Sequence, residues 1–273
     1  MTQSHDAAAC ATCPVSNTAT VRKLGAQIGR WDYTIALAGN PNTGKSTIFN
    51  TLTGLRQHTG NWSGKTVVRA EGRYTYQGAQ YRLVDLPGTY SLLSTSVDEE
   101  VARDFVLFGQ PDATIVVTDA TRLERNLSLV LQILAITERV VVAVNLMDEA
   151  KRHGIAVDVR RLSRDLGVPV VPMAARQGEG VAELLSMVAQ VASGAYQTKP
   201  YVLPLVDPAI EAAVAALEPQ ILARFPQLPN ARWVALRLLE GDASIMRAVA
   251  DGTLGDVRKG LAVAPIMLQE VSA

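Results

Sequence analysis

Three short stretches of this chain combine residue types and spacings that can do chemistry on a nucleotide. The first, Gly39-Asn40-Pro41-Asn42-Thr43-Gly44-Lys45-Ser46, fits G-x-x-x-x-G-K-[S/T]. Its glycines let the backbone curl so that successive N–H groups point at phosphate oxygens. Lys45 can reach the β- and γ-phosphates, and the Ser46 hydroxyl can bind Mg²⁺. The helix that opens near Lys45 adds its positive N-terminal end. Asn40, Asn42, Thr43, Gly44 and Thr47 complete the expected contacts of this loop. A chance Gly-rich turn is the bland alternative; it is disfavoured because an apolar run precedes the stretch and a helical pattern follows.

The second stretch is Asp85-Leu86-Pro87-Gly88. Here a carboxylate can hold Mg²⁺ through water, and Gly88 lets the backbone approach a γ-phosphate closely. The third is Asn145-Leu146-Met147-Asp148. A carboxylate at Asp148 can accept from both N1–H and the exocyclic amine of guanine, a donor pair that adenine lacks. That predicts GTP rather than ATP. A helix-capping Asp is the alternative reading for a lone N-x-x-D. Most GTPases carry Lys where Leu146 stands, stacked on the base, so weaker affinity and faster exchange are expected. Ala174, Ala175 and Arg176 fall where a backbone loop would contact the guanine oxygen. Thr66 could complete the Mg²⁺ shell and lock a switch segment; the alternative is a β-branched residue that starts a strand. Thr89 follows Gly88 where many GTPases place a water-orienting Gln.

These motifs need a scaffold that brings them to one edge. Strand-like runs at Tyr33–Ala38, Val67–Tyr76, Tyr81–Asp85, Thr114–Asp119, Val140–Asn145 and Val168–Met173 alternate with helical patterns at Lys45–Leu55, Asp98–Phe108, Leu123–Thr137, Val159–Leu166 and Val181–Ala192. The alternation predicts a mostly parallel central sheet with flanking helices, an α/β P-loop domain. Gln77-Gly78 predicts a hairpin at one edge. After Ser193 the pattern changes to a Pro-containing linker and then to helices only, with Ile210, Val214, Leu217 and Ile221 at helical spacing. The expected organisation is a flexible extension over 1–30 (with a short helix at Val21–Arg30), a G domain over 31–193, a linker over 194–206 and a small all-α domain over 207–273.

Composition narrows the function classes. Lys plus Arg and Asp plus Glu number 26 each, which argues against a nucleic-acid partner. No apolar run reaches the ~20 residues needed to span a bilayer, so the chain as given is expected to be soluble and cytosolic. Cys10 and Cys13 form a C-x-x-C pair, with His5 as a third candidate ligand. One such pair is half of a zinc site, and a tail with incidental thiols is the favoured reading.

The sequence between the motifs is more specific than the motifs themselves. Asn61-Trp62-Ser63-Gly64-Lys65-Thr66-Val67, Asp85–Leu92, Asp119–Leu127 and Asn145–Asp148, with Pro41-Asn42 in the loop, closely resemble the G domain of the bacterial ferrous iron transporter family FeoB. Arg232–Asp242 resembles that family's helical domain. The resemblance implies a GTPase that regulates Fe²⁺ uptake, with a helical domain that slows GDP release. It implies a transmembrane domain as partner, with the parent in the inner membrane and this region on its cytoplasmic side. Small cytosolic accessory proteins of the uptake system and a homo-oligomer are further partners it allows. It also implies K⁺ activation, with Asn42 holding the cation against the phosphates in place of an arginine finger. The expected catalytic set is Asn42, Lys45, Thr66 and Gly88, with Mg²⁺ at Ser46, Thr66 and Asp85. Departures are the N-terminal extension and Ser63 and Lys65. The rival reading is a GTPase of ribosome assembly or RNA modification, against which the neutral helical C-terminal part speaks. A scaffold that binds nucleotide and barely turns over is the non-enzymatic rival.

Overall fold

The first strand, β1 (Tyr33–Gly39), feeds two different cores with alternate residues. Ile35 and Leu37 enter one and Ala36 and Ala38 the other, all but fully buried. A strand buried on both faces reads as a continuous apolar run, as this one does. The computed structural model describes residues 31–54, 57–62, 67–93, 96–201 and 207–254. The readings placed on His5, Cys10, Cys13, Val21–Arg30, Ser63, Lys65 and Thr66 lie outside the described residues.

From β1 the chain passes through the phosphate loop into α1 (Lys45–Thr53) and then to β2 (Gln57–Asn61), β3 (Val68–Tyr76) and β4 (Ala79–Asp85). The β3–β4 turn, Gln77-Gly78, has φ of 49° and 83°. Two consecutive left-handed residues match the right-handed twist of the flanking strands, which makes this the predicted tight hairpin. Next come α2 (Val97–Phe108), β5 (Ala113–Asp119), α3 (Leu123–Ile136), β6 (Val140–Asn145), α4 (Met147–Arg152), α5 (Val159–Leu166), β7 (Val170–Pro172) and α6 (Val181–Ala192). The seven strands are ordered β2-β3-β4-β1-β5-β6-β7. β4, β1, β5, β6 and β7 run parallel, and β2 and β3 are antiparallel at one edge.

Helices α1 and α6 cover one face through Ile48, Phe49, Leu184, Val188 and Val191. The other face is covered by α2, α3 and α5 through Val101, Phe105, Leu129, Ile133 and Leu166. Start signals are local: the Ser96 side chain accepts from Glu99 N, and Asp98, Glu99 and Glu100 fill the first turn of α2, where the helix dipole favours anions.

Beyond α6 the described chain is helical: α7 (Pro208–Arg224), α8 (Ala231–Leu239) and α9 (Ala243–Ala250). Asp207, Asn230 and Asp242 cap them with their side chains. Val214, Trp233, Val234 and Ile245 join the same apolar cluster as α2 and α3, so the helical part packs on that face of the sheet. Polar links also fasten it. Asn230 Nδ2 donates to the carbonyls of Ala135 and Ile136 at the end of α3, at 3.0 and 3.1 Å. Buried Arg103 of α2 donates from Nη1 to Ser244 Oγ at 2.8 Å and lies 3.5 Å from Asp242 Oδ2. No helix among the described residues is long and apolar enough to cross a membrane.

Candidate nucleotide site

In an open parallel sheet, ligands bind beyond the carboxyl ends of the strands, where the strand order reverses. That point here is β1, which β4 and β5, consecutive in the chain, flank on opposite sides in the sheet. The loop leaving β1 is the G-x-x-x-x-G-K-S stretch. Gly39 begins it because no side chain fits: a Cβ would stand 2.6 Å from the Val117 carbonyl oxygen. Asn42 and Gly44 are left-handed, at φ 66° and 83°, and turn the loop back on itself. Thr43 Oγ1 closes it by donating to Asn40 O at 2.9 Å. Asn42 and Ser46 are exposed, and Thr47 is partly buried in the first turn of α1. Among the described residues the Asn42 carboxamide makes no hydrogen bond. Asn40 is 2% exposed, and neither polar atom of its side chain has a partner among the described residues.

Lys45 of α1 pairs through Nζ with Oδ1 of Asp85, the last residue of β4. Burial pushes the Asp85 carboxyl above its ordinary range, and Lys45 offsets this only in part. The pair thus holds together the two groups that phosphates and a divalent cation would separate. Asp85 is followed by Leu86, whose N–H donates to Leu37 O at 2.9 Å. That bond carries the next residues past the phosphate loop, so a Cβ on Gly88 would lie 3.5 Å from Pro41. Thr89 is buried; its N–H donates to Gly39 O at 3.3 Å and its hydroxyl to Ser91 O at 2.7 Å. The hydroxyl is therefore committed to its own turn.

The segment containing Thr66 is flanked by described residues. Trp62 N–H donates to Val67 O at 2.9 Å, so the two flanks are joined. The Trp62 ring is buried edge-on against Phe105 of α2, with centroids 5.5 Å apart. One helix, α2, thus touches Trp62 through Phe105 and the helical part through Arg103.

At the end of β6, Asn145 is 1% exposed and bridges two loops. Its Nδ2 donates to Thr43 O at 3.0 Å, and its Oδ1 accepts from Ala175 N at 3.0 Å. The first bond explains the second glycine of the phosphate loop: a Cβ on Gly44 would stand 2.3 Å from Asn145 Nδ2. The sequence reading grouped Asn145 with guanine recognition. In the structure its side chain fastens the phosphate loop to the loop that follows β7. Leu146, at φ 62°, turns the chain into α4 and places Asp148 in its first turn. Oδ2 of Asp148 accepts from Gln177 Nε2 at 3.2 Å and lies 3.5 Å from Arg152 Nη2. Gln177 was absent from the sequence reading, which stopped at Arg176. Ala174 and Ala175 are buried beside Asn145, and Arg176 is exposed. The structure therefore gathers the loop residues, Asp85, Gly88, Asn145, Asp148 and Ala174–Arg176 at one edge of the sheet. It does not test Thr66, which lies outside the described residues.

A family model described as ferrous iron transport protein B matches residues 33–188, and one for the FeoB cytosolic helical domain matches 207–262. The Fe(2+) transporter FeoB of Salmonella typhimurium is 44% identical over 214 residues, covering 77% of this chain and 27% of the relative. Its Escherichia coli K12 counterpart is 42% identical over the same shares. The chain thus spans about a quarter of the length of these curated relatives. The cytosolic domain of T. maritima FeoB in apo form matches with a TM-score of 0.72 and 36% identity, over 87% of this chain and 89% of that one. That domain has also been solved in GDP and GMPPNP forms. The cytosolic domain of L. pneumophila FeoB matches with a TM-score of 0.69 and 33% identity, over 83% and 96% of the two chains. This chain, a P-loop GTPase fold followed by a helical region, belongs to the ferrous iron transport protein B family.

Proposed function

We propose that this chain binds GTP and hydrolyses it to GDP and phosphate, as the cytoplasmic regulatory part of an inner-membrane ferrous iron transporter, and that K⁺ activates it. The observation that supports the reading is Asn145: one buried carboxamide joins a phosphate-binding loop to a loop placed for a guanine base. The T. maritima relative's GDP and GMPPNP forms support the same nucleotide class.

In this reading residues 31–193 form the GTP-binding unit, 194–206 connect it, 207–273 form the regulatory helical unit, and 1–30 are an extension. The loop N–H groups and Lys45 hold the phosphates. Lys45 exchanges Asp85 for phosphate oxygens, which frees the Asp85 carboxylate. Ser46, Asp85 and Thr66 are oxygen donors of the kind Mg²⁺ takes. Mg²⁺ bound there neutralises charge on the β- and γ-phosphates. The exposed Asn42, whose carboxamide has no partner among the described residues, suits a cation such as K⁺. K⁺ bound there supplies the positive charge that an arginine finger supplies elsewhere. Gly88 N–H reports the γ-phosphate. Asp148 selects guanine, and Ala174, Ala175 and Arg176 line the base. The coupling route to the helical unit runs from the Trp62 flank through Phe105 and Arg103 of α2. The transmembrane part of the parent, accessory proteins and self-association are proposed partners.

Multiple-turnover GTP hydrolysis in KCl and in NaCl tests the reading. Faster turnover in KCl, lost in Asn42→Ala with GTP binding retained, is the expected result. No turnover in either salt would sink the enzymatic reading, and equal rates would sink K⁺ activation alone.

A further inference from the structure

We propose that Gln177 is a specificity-determining positioning residue: it fixes the Asp148 carboxylate so that both oxygens serve the guanine edge at once. The inference rests on the guanine-binding reading above.

Two features of the structure carry it. The first is the contact itself. Gln177 Nε2 donates to Oδ2 of Asp148 at 3.2 Å, and the only other group placed on that carboxylate among the described residues, Arg152 Nη2, also faces Oδ2, at 3.5 Å. Arg152 is 69% exposed on a long flexible stem, so it restrains the carboxylate weakly. Oδ1 accepts no hydrogen bond among the described residues, and Oδ2 has a second lone pair that the exposed Arg152 can yield to a ligand. A guanine can therefore donate N1–H to one oxygen and its amine to the other without displacing Gln177.

The second feature is that Gln177, although exposed, sits on a hydrogen-bonded turn. It ends a 3₁₀ turn over Ala175–Gln177, with its N–H on Ala174 O at 2.8 Å. Ala174 N donates to Glu179 O at 3.2 Å, closing the loop across its base. Gly180 (φ 79°) lets that closure pack, since a Cβ there would stand 2.3 Å from Pro172 O. Ala175 N is held by Asn145. The base loop is thus tied to the chain around Asp148 at both ends, by Asn145 to Ala175 and by Gln177 to Asp148. The neighbouring loop residues cannot do the second job. Ala174 and Ala175 carry no side-chain donor, and Arg176 makes no contact with Asp148 among the described residues. A carboxylate left free to rotate about χ2 would satisfy one donor of the base at a time.

The test is equilibrium binding and release of GDP and IDP on the full chain, wild type against Gln177→Ala and Gln177→Glu. IDP lacks the exocyclic amine and needs one carboxylate oxygen only. Gln177→Ala should weaken GDP by ~3–10-fold, the range for one lost hydrogen bond, mostly through faster release, and weaken IDP by less than ~2-fold. Gln177→Glu, which sets acceptor against acceptor, should lose more GDP affinity than Gln177→Ala, and Gln177→Lys should restore it. In an Asp148→Asn background, Gln177→Ala should have no further effect. Equal losses for GDP and IDP would mark a merely structural loop residue and overturn the proposal, as would unchanged or tighter GDP binding. A wild-type chain that fails to prefer GDP over ADP would instead overturn the guanine reading itself.

Discussion

At the phosphate end of the site the groups that would hold a ligand are busy with one another, whereas at the base end they are already in place. Lys45 is spent on Asp85, whose carboxyl is held above its ordinary range by burial. Asn42 is exposed, and its carboxamide makes no hydrogen bond among the described residues. At the proposed base end, Asn145 bonds to the loop after β7 and Gln177 to the Asp148 carboxylate. The difference has a consequence for recognition. A preformed base site binds without reorganisation and sets which nucleotide enters. A phosphate site that must exchange an ion pair for ligand contacts responds to what is attached to the base, which is what a switch requires.

Asn145 is where this division can be broken with the largest effect. Asn145→Ala orphans two buried backbone groups, Thr43 O and Ala175 N, at ~1–3 kcal/mol each. The cost should appear partly as a lower melting temperature and partly as GDP affinity weakened by tens of fold or more. Binding of GDP and of inorganic pyrophosphate, measured in parallel, reports on the two ends separately. Both should weaken. A variant that loses only GDP would show that the phosphate loop holds its shape without the tie.

A smaller effect sharpens the same contrast from the phosphate side. Lys45→Ala removes a charged partner of the phosphates and should weaken GTP by ~10–100-fold, as expected for one charge-assisted contact of ~1.5–3 kcal/mol. Asp85→Asn does the reverse for the empty protein. A carboxyl whose folded value is raised above 3.8 favours folding while protonated, and that contribution is lost as pH rises through the raised value. In the absence of nucleotide the Asn variant should therefore gain melting temperature relative to wild type as pH is raised from ~4 toward neutrality. Parallel melting curves across that range would show that Lys45 compensates Asp85 in full.

How much of this was legible in the sequence depends on whether a residue acts through its own local pattern. The strands β1, β5 and β6 and the helices α5 and α6 announce themselves by apolar period, and their bounds fall within a residue of the sequence reading. β2 does not. Gln57–Asn61 is polar, and its strand character comes from pairing with β3, a long-range contact with no local signature. β7 is shorter than the apolar run Val168–Met173, because only Val170–Pro172 pairs with β6. Within the site, Gly39, Gly44 and Lys45 are legible because their chemistry is backbone freedom and charge. Asn145 is legible as a position but not as a tie, since its partners lie 102 and 30 residues away. Gln177 carries no motif at all; its meaning comes from a turn that aims it at Asp148. A polar residue five positions beyond the end of β7 is the signal that could have found it.

Leu146 offers the smallest and most selective adjustment of the base end. It sits at φ 62°, a conformation that L side chains adopt at a cost, and it stands where a stacked cation occurs in other GTPases. Leu146→Lys leaves that backbone cost unchanged, because Lys meets the same Cβ crowding as Leu. Any gain in GDP affinity then comes from the side chain alone. A cation over an aromatic face at an exposed site is worth ~0.5–1 kcal/mol, so GDP release measured by stopped-flow should slow by ~2–5-fold. Leu146→Gly separates the two contributions: it relieves the strained backbone and should raise the melting temperature while leaving release as fast or faster. If Leu146→Lys leaves release unchanged, the base end owes its grip to the edge contacts of Asp148 and the loop around Ala175, and stacking adds nothing to it.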